Sequence, residues 1–148
     1  MIINTLKTIF NRDLNQLKTE IDLYQNESLI WHVEKEISNS AGNLCLHLIG
    51  NLNTYIGNVF GKTDYIRNRP LEFSLKNIPK SDLTQKIDAT ILVVDAALNR
   101  ITEEDLKRDF PLLVFKEKTS TEFMLIHLTT HLAYHLGQIN YHRRLLNE

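Results

Sequence analysis

The sequence has little of what builds disulfide-bonded or membrane-spanning proteins. Its single cysteine, Cys45, excludes an intramolecular disulfide, and the leucines around it predict a buried, inert thiol. No apolar run approaches the ~18 residues that a membrane-spanning helix requires. The first residues lack a charged segment followed by a long apolar stretch, which is the mark of a signal peptide. We therefore expect a cytoplasmic protein with no membrane partner.

An excess of charge of one sign is also lacking. The chain carries 17 Lys+Arg against 18 Asp+Glu, a formal net charge of −1. No global field would draw it to nucleic acid, so no nucleic-acid partner is expected. Its 148 residues, 43% of them apolar, suit a single compact domain over residues 1–148.

Four long segments carry apolar residues at steps of three and four, the spacing of amphipathic helices. They cover residues 2–24, 38–59, 81–98 and 119–147. Ser38 or Asn39 is predicted to cap the second helix, and Thr119 with Glu122 forms a capping-box pattern for the last. With no strand-rich region between them, these segments predict an all-α four-helix bundle.

The connection over residues 61–80 is longer than helix connections in bundles usually are. Pro70 and Pro79 are predicted to keep it from forming a continuous helix. It could run the length of the molecule and leave the second and third helices parallel. Four of its side chains could border the mouth of an active site: Arg67, Arg69, Glu72 and Phe73.

Two other irregularities carry structural expectations. In residues 101–118, a short helical turn is predicted from Thr102 to Asp105 and a brief extended segment over 112–115. In the second helix, glycines at 42, 50 and 57 suggest either the close approach of another backbone or local bends.

The chemistry of the sequence lies in its last helix, where His127, His131 and His135 recur at steps of four. A step of four rotates a side chain by only ~40° and raises it ~6 Å, so neighbouring histidines can reach one ion. His127 and His135 would lie about 12 Å apart along the axis, so the three cannot share it. The helix can therefore offer two ligands, and a third must come from elsewhere.

His47 is the histidine best placed to be that third ligand, because it lies beside the apolar stripe of the second helix. His32 precedes that helix, and His142 lies near the C-terminal end of the last one. Imidazole is a good ligand for zinc, nickel, copper and iron. Three neutral ligands leave an open coordination position, as in catalytic rather than structural sites.

Other interpretations of these residues stay open at this stage. Histidines on apolar faces, His127 among them, can be ordinary core residues that hydrogen-bond to a carbonyl. Asn51 and Gln138 could support neighbouring ligands or simply pack. Helical zinc peptidases carry a glutamate directly after the first histidine, whereas here Leu128 and Leu132 follow. Peptidase activity is therefore disfavoured.

At these residues the sequence resembles the DinB-like (YfiT-like) superfamily of small metalloproteins. The resemblance covers the whole chain in helix order and length. It is carried by two short motifs, Leu46-His47-Leu48-Ile49-Gly50-Asn51-Leu52 and His131-x-x-x-His135-x-Gly137-Gln138. It implies up-down-down-up connectivity, a divalent metal, nickel or zinc, on His47, His131 and His135, and a homodimer.

Some members of that superfamily are thiol S-transferases that use bacillithiol, mycothiol or glutathione. The resemblance therefore implies a metal-dependent enzyme of the thiol S-transferase or hydrolase type. Such an enzyme would act on a small-molecule substrate, with a low-molecular-weight thiol as cosubstrate for the transferase. The alternatives are a non-catalytic metal-binding or stress-associated bundle, and an interaction bundle whose histidines belong to the core.

Overall fold

The computed structural model describes residues 1–147, and its regular elements are helices. They are α1 (Ile2–Asp22), α2 (Ala41–Leu52), α3 (Arg69–Ser74), α4 (Lys80–Leu98), α5 (Glu103–Lys107) and α6 (Thr121–Leu146). A 3-10 helix, Glu27–Trp31, follows α1, and a π-helical segment, Asn53–Asn58, continues α2. Over residues 1–147 there is no strand, which confirms the all-α class. In the same range, no helix has the length and apolarity to cross a bilayer.

The four long helices form a bundle in which α1 and α2 each pack against α4 and α6. Lys7 of α1 contacts Asn99 at the end of α4, whereas Lys18 contacts Asp88 nearer its start, so these two helices are antiparallel. The ion pair between Glu20 and Arg143 joins the C-terminal ends of α1 and α6. Those two helices are therefore parallel.

The direction of α2 follows from its contacts with both neighbours. Asn53 donates to Thr90 Oγ1 of α4 at 3.0 Å, and four residues later Gly57 faces Val93, so α2 and α4 are parallel. Leu44, near the start of α2, lines the same groove as His142 near the end of α6. The helices α2 and α6 are therefore antiparallel. The up-down-down-up connectivity implied by the resemblance is confirmed.

The starts of α2 and α6 differ from the predicted ones. Ser40, not Ser38 or Asn39, caps α2, because its hydroxyl accepts the Asn43 N–H at 3.1 Å. In α6 the hydroxyl of Ser120 accepts the Phe123 N–H at 3.1 Å, so the predicted capping box that begins at Thr119 is wrong. In both cases several polar residues precede the helix, and the cap is the one immediately before the first helical residue.

The connection over residues 61–80 is not one continuous helix, as the prolines predicted, but it contains a short helix that was not predicted. Asn68 caps α3, and Pro70 stands in its first turn, where its missing N–H would have no partner in the helix anyway. The predicted short helix after Thr102 is confirmed as α5, with a capping box to Asp105. The extended segment predicted over 112–115 is wrong, because that stretch is irregular.

The glycines of α2 make room for side chains rather than for another backbone. A Cβ at Gly42 would lie 2.6 Å from the ring of Trp31, and one at Gly50 would lie 1.9 Å from the carboxylate of Glu72. The predicted backbone approach is therefore wrong. At Gly50, the missing side chain lets a carboxylate lie directly against the helix that carries His47.

Candidate metal centre

The bundle brings His47 of α2 together with His131 and His135 of α6. One ligand atom from each imidazole lies within 4.8 Å of the others. The atoms His47 Nε2 and His131 Nε2 are 3.2 Å apart, although the residues are separated by 84 positions in the chain. The antiparallel packing of α2 on α6 brings these two side chains together. The three histidines could hold a divalent metal ion.

The distance between His47 Nε2 and His131 Nε2 is the distance expected between two ligands of one ion. Two nitrogens each 2.0–2.1 Å from an ion, at a tetrahedral angle, lie about 3.3 Å apart. The observed separation of His47 Nε2 and His131 Nε2 is 3.2 Å. Two lone pairs that face each other at this distance repel unless one nitrogen carries a proton. A shared cation would satisfy both at once, so the residues present fit a metal ion.

Glu72 orients His47. Its Oε1 lies 3.0 Å from His47 Nδ1, and the carboxylate is only 6% exposed. Arg67 donates hydrogen bonds to both carboxylate oxygens of Glu72, from Nε to Oε2 at 2.9 Å and from Nη2 to Oε1 at 3.0 Å. A carboxylate at Nδ1 favours the tautomer that donates from Nδ1 and leaves the Nε2 lone pair free for a metal.

The two histidines of α6 differ in their support. His135 Nδ1 lies 2.7 Å from Oε1 of Gln138, one helical turn later, which leaves Nε2 of His135 available as a ligand. His131 Nδ1 is buried and has no hydrogen-bond partner within residues 1–147. A buried ring nitrogen without a partner is costly in a residue that serves only packing. The unpartnered Nδ1 is consistent with a His131 ring whose position is set by what its Nε2 binds.

Burial keeps two of the three imidazoles, those of His47 and His131, neutral. Burial lowers the pKa of His47, although Glu72 opposes this shift. Burial lowers the pKa of His131 to about 4, helped by repulsion from His135 and His47. For Arg67, burial acts to lower the pKa, but the hydrogen bond to Glu72 and the attraction of the Glu72 charge, with smaller contributions from Tyr55 and Tyr65, together outweigh it, so the pKa is raised. At neutral pH His47 and His131 are therefore uncharged imidazoles, the form that ligates metals.

Several residues that the sequence singled out stand outside this cluster. His127 contacts Phe115, with ring centroids 4.8 Å apart, and stacks on His131 at 6.3 Å without joining the ligand atoms. Asn51 has a buried Oδ1 with no partner in residues 1–147 and no hydrogen bond to His47. His142 accepts from Tyr24 and donates to the His32 carbonyl. It is a core histidine.

The residues proposed to border an active-site mouth divide into two groups. Phe73 lies on His47, with ring centroids 5.0 Å apart, and Arg69 lies over Phe73 rather than over an imidazole. Glu72 is buried and Arg67 is partly buried, and their side chains pair with each other and support His47. The signal for Glu72 was present in the sequence as Asn68 before Pro70, a helix start with an acidic residue in its first turn.

Two glycine substitutions should have opposite effects on stability. A Cβ at Gly137 would meet nothing within 4 Å, so Gly137→Ala should stabilise α6 by about 0.5–1 kcal/mol through helix propensity. At Gly50 the added carbon would lie 1.9 Å from Glu72 Oε2, so Gly50→Ala should destabilise by about 1–3 kcal/mol. Gly50→Ala should also weaken metal binding, because Glu72 orients the ligand His47. Chemical denaturation and metal titration of both variants test this, and a stabilising Gly50→Ala would contradict it.

The chelator-treated protein should lose stability as the pH falls below about 6.5, the unperturbed pKa of histidine. The pKa values of His47, His131 and His142 are lowered in the folded state, chiefly by burial. The unfolded chain therefore binds more protons below that pH, and the free energy of unfolding decreases. Urea denaturation at pH 7.5, 6.0 and 5.0 measures this. A free energy that stayed constant would contradict neutral burial of these rings.

A family model described as "Protein of unknown function (DUF1572)" matches residues 2–148, almost the whole chain. No curated protein matches the sequence.

Proposed function

Since the chain belongs to the DUF1572 family of proteins of unknown function, we propose from its site that it is a metal-dependent enzyme. In this proposal His47, His131 and His135 hold one divalent ion. The observation that carries it is the convergence of their ligand atoms to within 4.8 Å from two helices. The resemblance of the histidine motifs to the DinB-like superfamily supports the same three ligands, with nickel or zinc as the ion.

The chemistry of such an ion would be Lewis acidity at an open coordination position, because the three ligands are neutral and leave its charge uncompensated. The chain's own residues supply the positioning. Glu72, clamped by Arg67, holds His47 in one tautomer. Gln138 holds His135. Neither support offers a ligand of its own in this arrangement.

Thiol transfer fits this site better than hydrolysis. Hydrolysis usually needs a general base for the attacking water, but Glu72 is committed to Arg67 and His47. In thiol transfer, the sulfur forms a bond to an electrophilic carbon, and the bond from that carbon to its leaving group breaks. The leaving group takes the electron pair, and the thiol proton passes to solvent. A lowered thiol pKa is the main requirement.

The thiol would come from a cosubstrate and not from the chain. Cys45 is fully buried, and burial raises the pKa of its thiol to about 12. The burial of this thiol, expected from the sequence, is therefore confirmed. A low-molecular-weight thiol would have to enter the site from solvent.

A groove of about 500 Å³ on the surface of α6 favours an enzyme over a bundle that only stores metal. His135 lies in its wall, so a bound molecule would touch one of the three histidines. A non-catalytic metal protein has no need for such access. A cytoplasmic homodimer, as implied by composition and resemblance, completes the proposal.

The proposal is tested by transfer activity after metal loading. Apoprotein reconstituted with nickel or zinc would be mixed with bacillithiol, mycothiol or glutathione and a chromogenic alkyl halide. We expect metal-dependent halide release above the uncatalysed rate, lost in His131→Ala. A parallel arm with an aryl ester tests hydrolysis. Ester cleavage without thiol transfer would replace the transferase by a hydrolase, and full metal occupancy with neither activity would favour the non-catalytic alternative.

A further inference from the structure

The groove beside His135 has a lining and a volume that indicate the kind of ligand it could bind. Its walls come from the segment before α2, the first turn of α2, and the exposed face of α6. The apolar part of its lining consists of Ile37, Ala41, Leu44, Tyr134, Tyr141 and Leu145. A volume of about 500 Å³ lies within the ~300–1,000 Å³ of small-molecule sites. The lining suits a molecule with an aromatic or aliphatic body.

The charge of the lining narrows the ligand further. Within residues 1–147, Glu36 is the only acidic residue that lines the groove, and no lysine or arginine lines it. Along the body of the groove, an anionic ligand would lose water without gaining a cationic side chain, which is costly, and it would also face the Glu36 carboxylate. The groove therefore disfavours phosphates and carboxylates and favours an uncharged molecule.

Two side chains connect the groove to the histidine cluster. Tyr134 packs edge-on against His135, with ring centroids 5.3 Å apart. Gln138 uses its carbonyl oxygen for His135 Nδ1, so its amide group can still donate to an acceptor on a ligand. A molecule between the two tyrosines and Gln138 would thus have one end beside His135.

We propose that this groove is the binding site for an uncharged, largely apolar substrate that carries a hydrogen-bond acceptor. The inference rests on the proposed function, in which it assigns the groove to the electrophile and not to an anionic thiol. Selectivity would come from the tyrosines and the adjoining leucines, and not from the histidines. The groove should bind its ligand whether or not metal is present.

Binding of an uncharged fluorophore, N-phenyl-1-naphthylamine, tests the groove separately from the metal. We expect saturable binding at one site per chain in both chelator-treated and metal-loaded protein. Tyr134→Ser and Tyr141→Ser should each weaken it about tenfold or more, the loss expected for an aromatic contact worth about 1.4 kcal/mol. Both tyrosines are about two-thirds exposed, so the fold should tolerate these changes.

Phe123→Ser is the matched control, because Phe123 is an exposed aromatic of the same helix that does not line the groove. It should leave the affinity unchanged, and metal content should be unchanged in all three variants. The anionic probe 1-anilinonaphthalene-8-sulfonate should bind at least tenfold more weakly than N-phenyl-1-naphthylamine. No saturable binding, equal losses in Phe123→Ser, or tighter binding of the anionic probe would overturn the assignment. If the unsubstituted protein bound the probe but took up no metal, that result would contradict the proposed function alone.

Discussion

The variant His131→Ala should lose its metal. His131 Nε2 lies 3.2 Å from His47 Nε2 at the centre of the cluster, and its removal leaves two ligands that do not hold an ion against competing water. Metal content should fall from about one ion per chain to near zero after dialysis. Metal binding stabilises the folded state by mass action, about 4 kcal/mol at a thousandfold excess over Kd. That metal-dependent increase in the free energy of unfolding should vanish with the ligand.

The control for this variant is His127→Ala, one helical turn earlier on the same face. His127 stacks on His131 but contributes no ligand atom to the cluster. Its replacement should leave both the metal content and the metal-dependent stabilisation in place. Elemental analysis of untagged protein and thermal unfolding with and without chelator measure both quantities. If the two variants retained metal equally, the site would have to be moved elsewhere.

The variant Glu72→Gln should weaken metal binding by about 10–100-fold, the usual effect of removing a partner that orients a ligand. The amide cannot reproduce the charged hydrogen bonds to Arg67 and His47. The free energy of unfolding of the metal-free protein should fall by about 1.5–3 kcal/mol, the usual contribution of hydrogen bonds to a charged group. Competition with a chromogenic chelator measures the affinity, and urea denaturation measures the stability.

A matched control separates the two effects of Glu72→Gln. Glu20 is equally buried and pairs with Arg143, where the C-terminal ends of α1 and α6 meet. Glu20→Gln should cost a similar amount of stability and leave metal affinity unchanged. A loss of affinity in both variants would mean that Glu72 acts on the metal only through general stability.

The sequence predicted what depends on local spacing. The helical repeat alone predicts that two neighbouring histidines of the last helix share a face, and the resemblance selects His131 and His135 as that pair. His47 follows from its place on an amphipathic helix and from the resemblance. The structure places all three within 4.8 Å, so the predicted grouping is found. Whether they bind a metal remains a proposal.

What the sequence did not predict depends on contacts between distant segments. The prolines correctly exclude one continuous helix over the connection, but the short helix α3, which carries Glu72 to the site, was not predicted. Gly50 could not be interpreted without knowing that Glu72 lies against it. Asn51 and Gln138 looked equivalent beside their histidines, but only Gln138 hydrogen-bonds to one. Such partners become visible only once the packing of the helices is known.

The central claim is tested most directly by anomalous diffraction from crystals of untagged protein loaded with nickel or zinc. The account predicts one anomalous peak per chain, about 2.0–2.1 Å from an imidazole nitrogen of each of His47, His131 and His135. A peak that lacks His47 among its ligands, or no peak at the cluster at full metal loading, would contradict it.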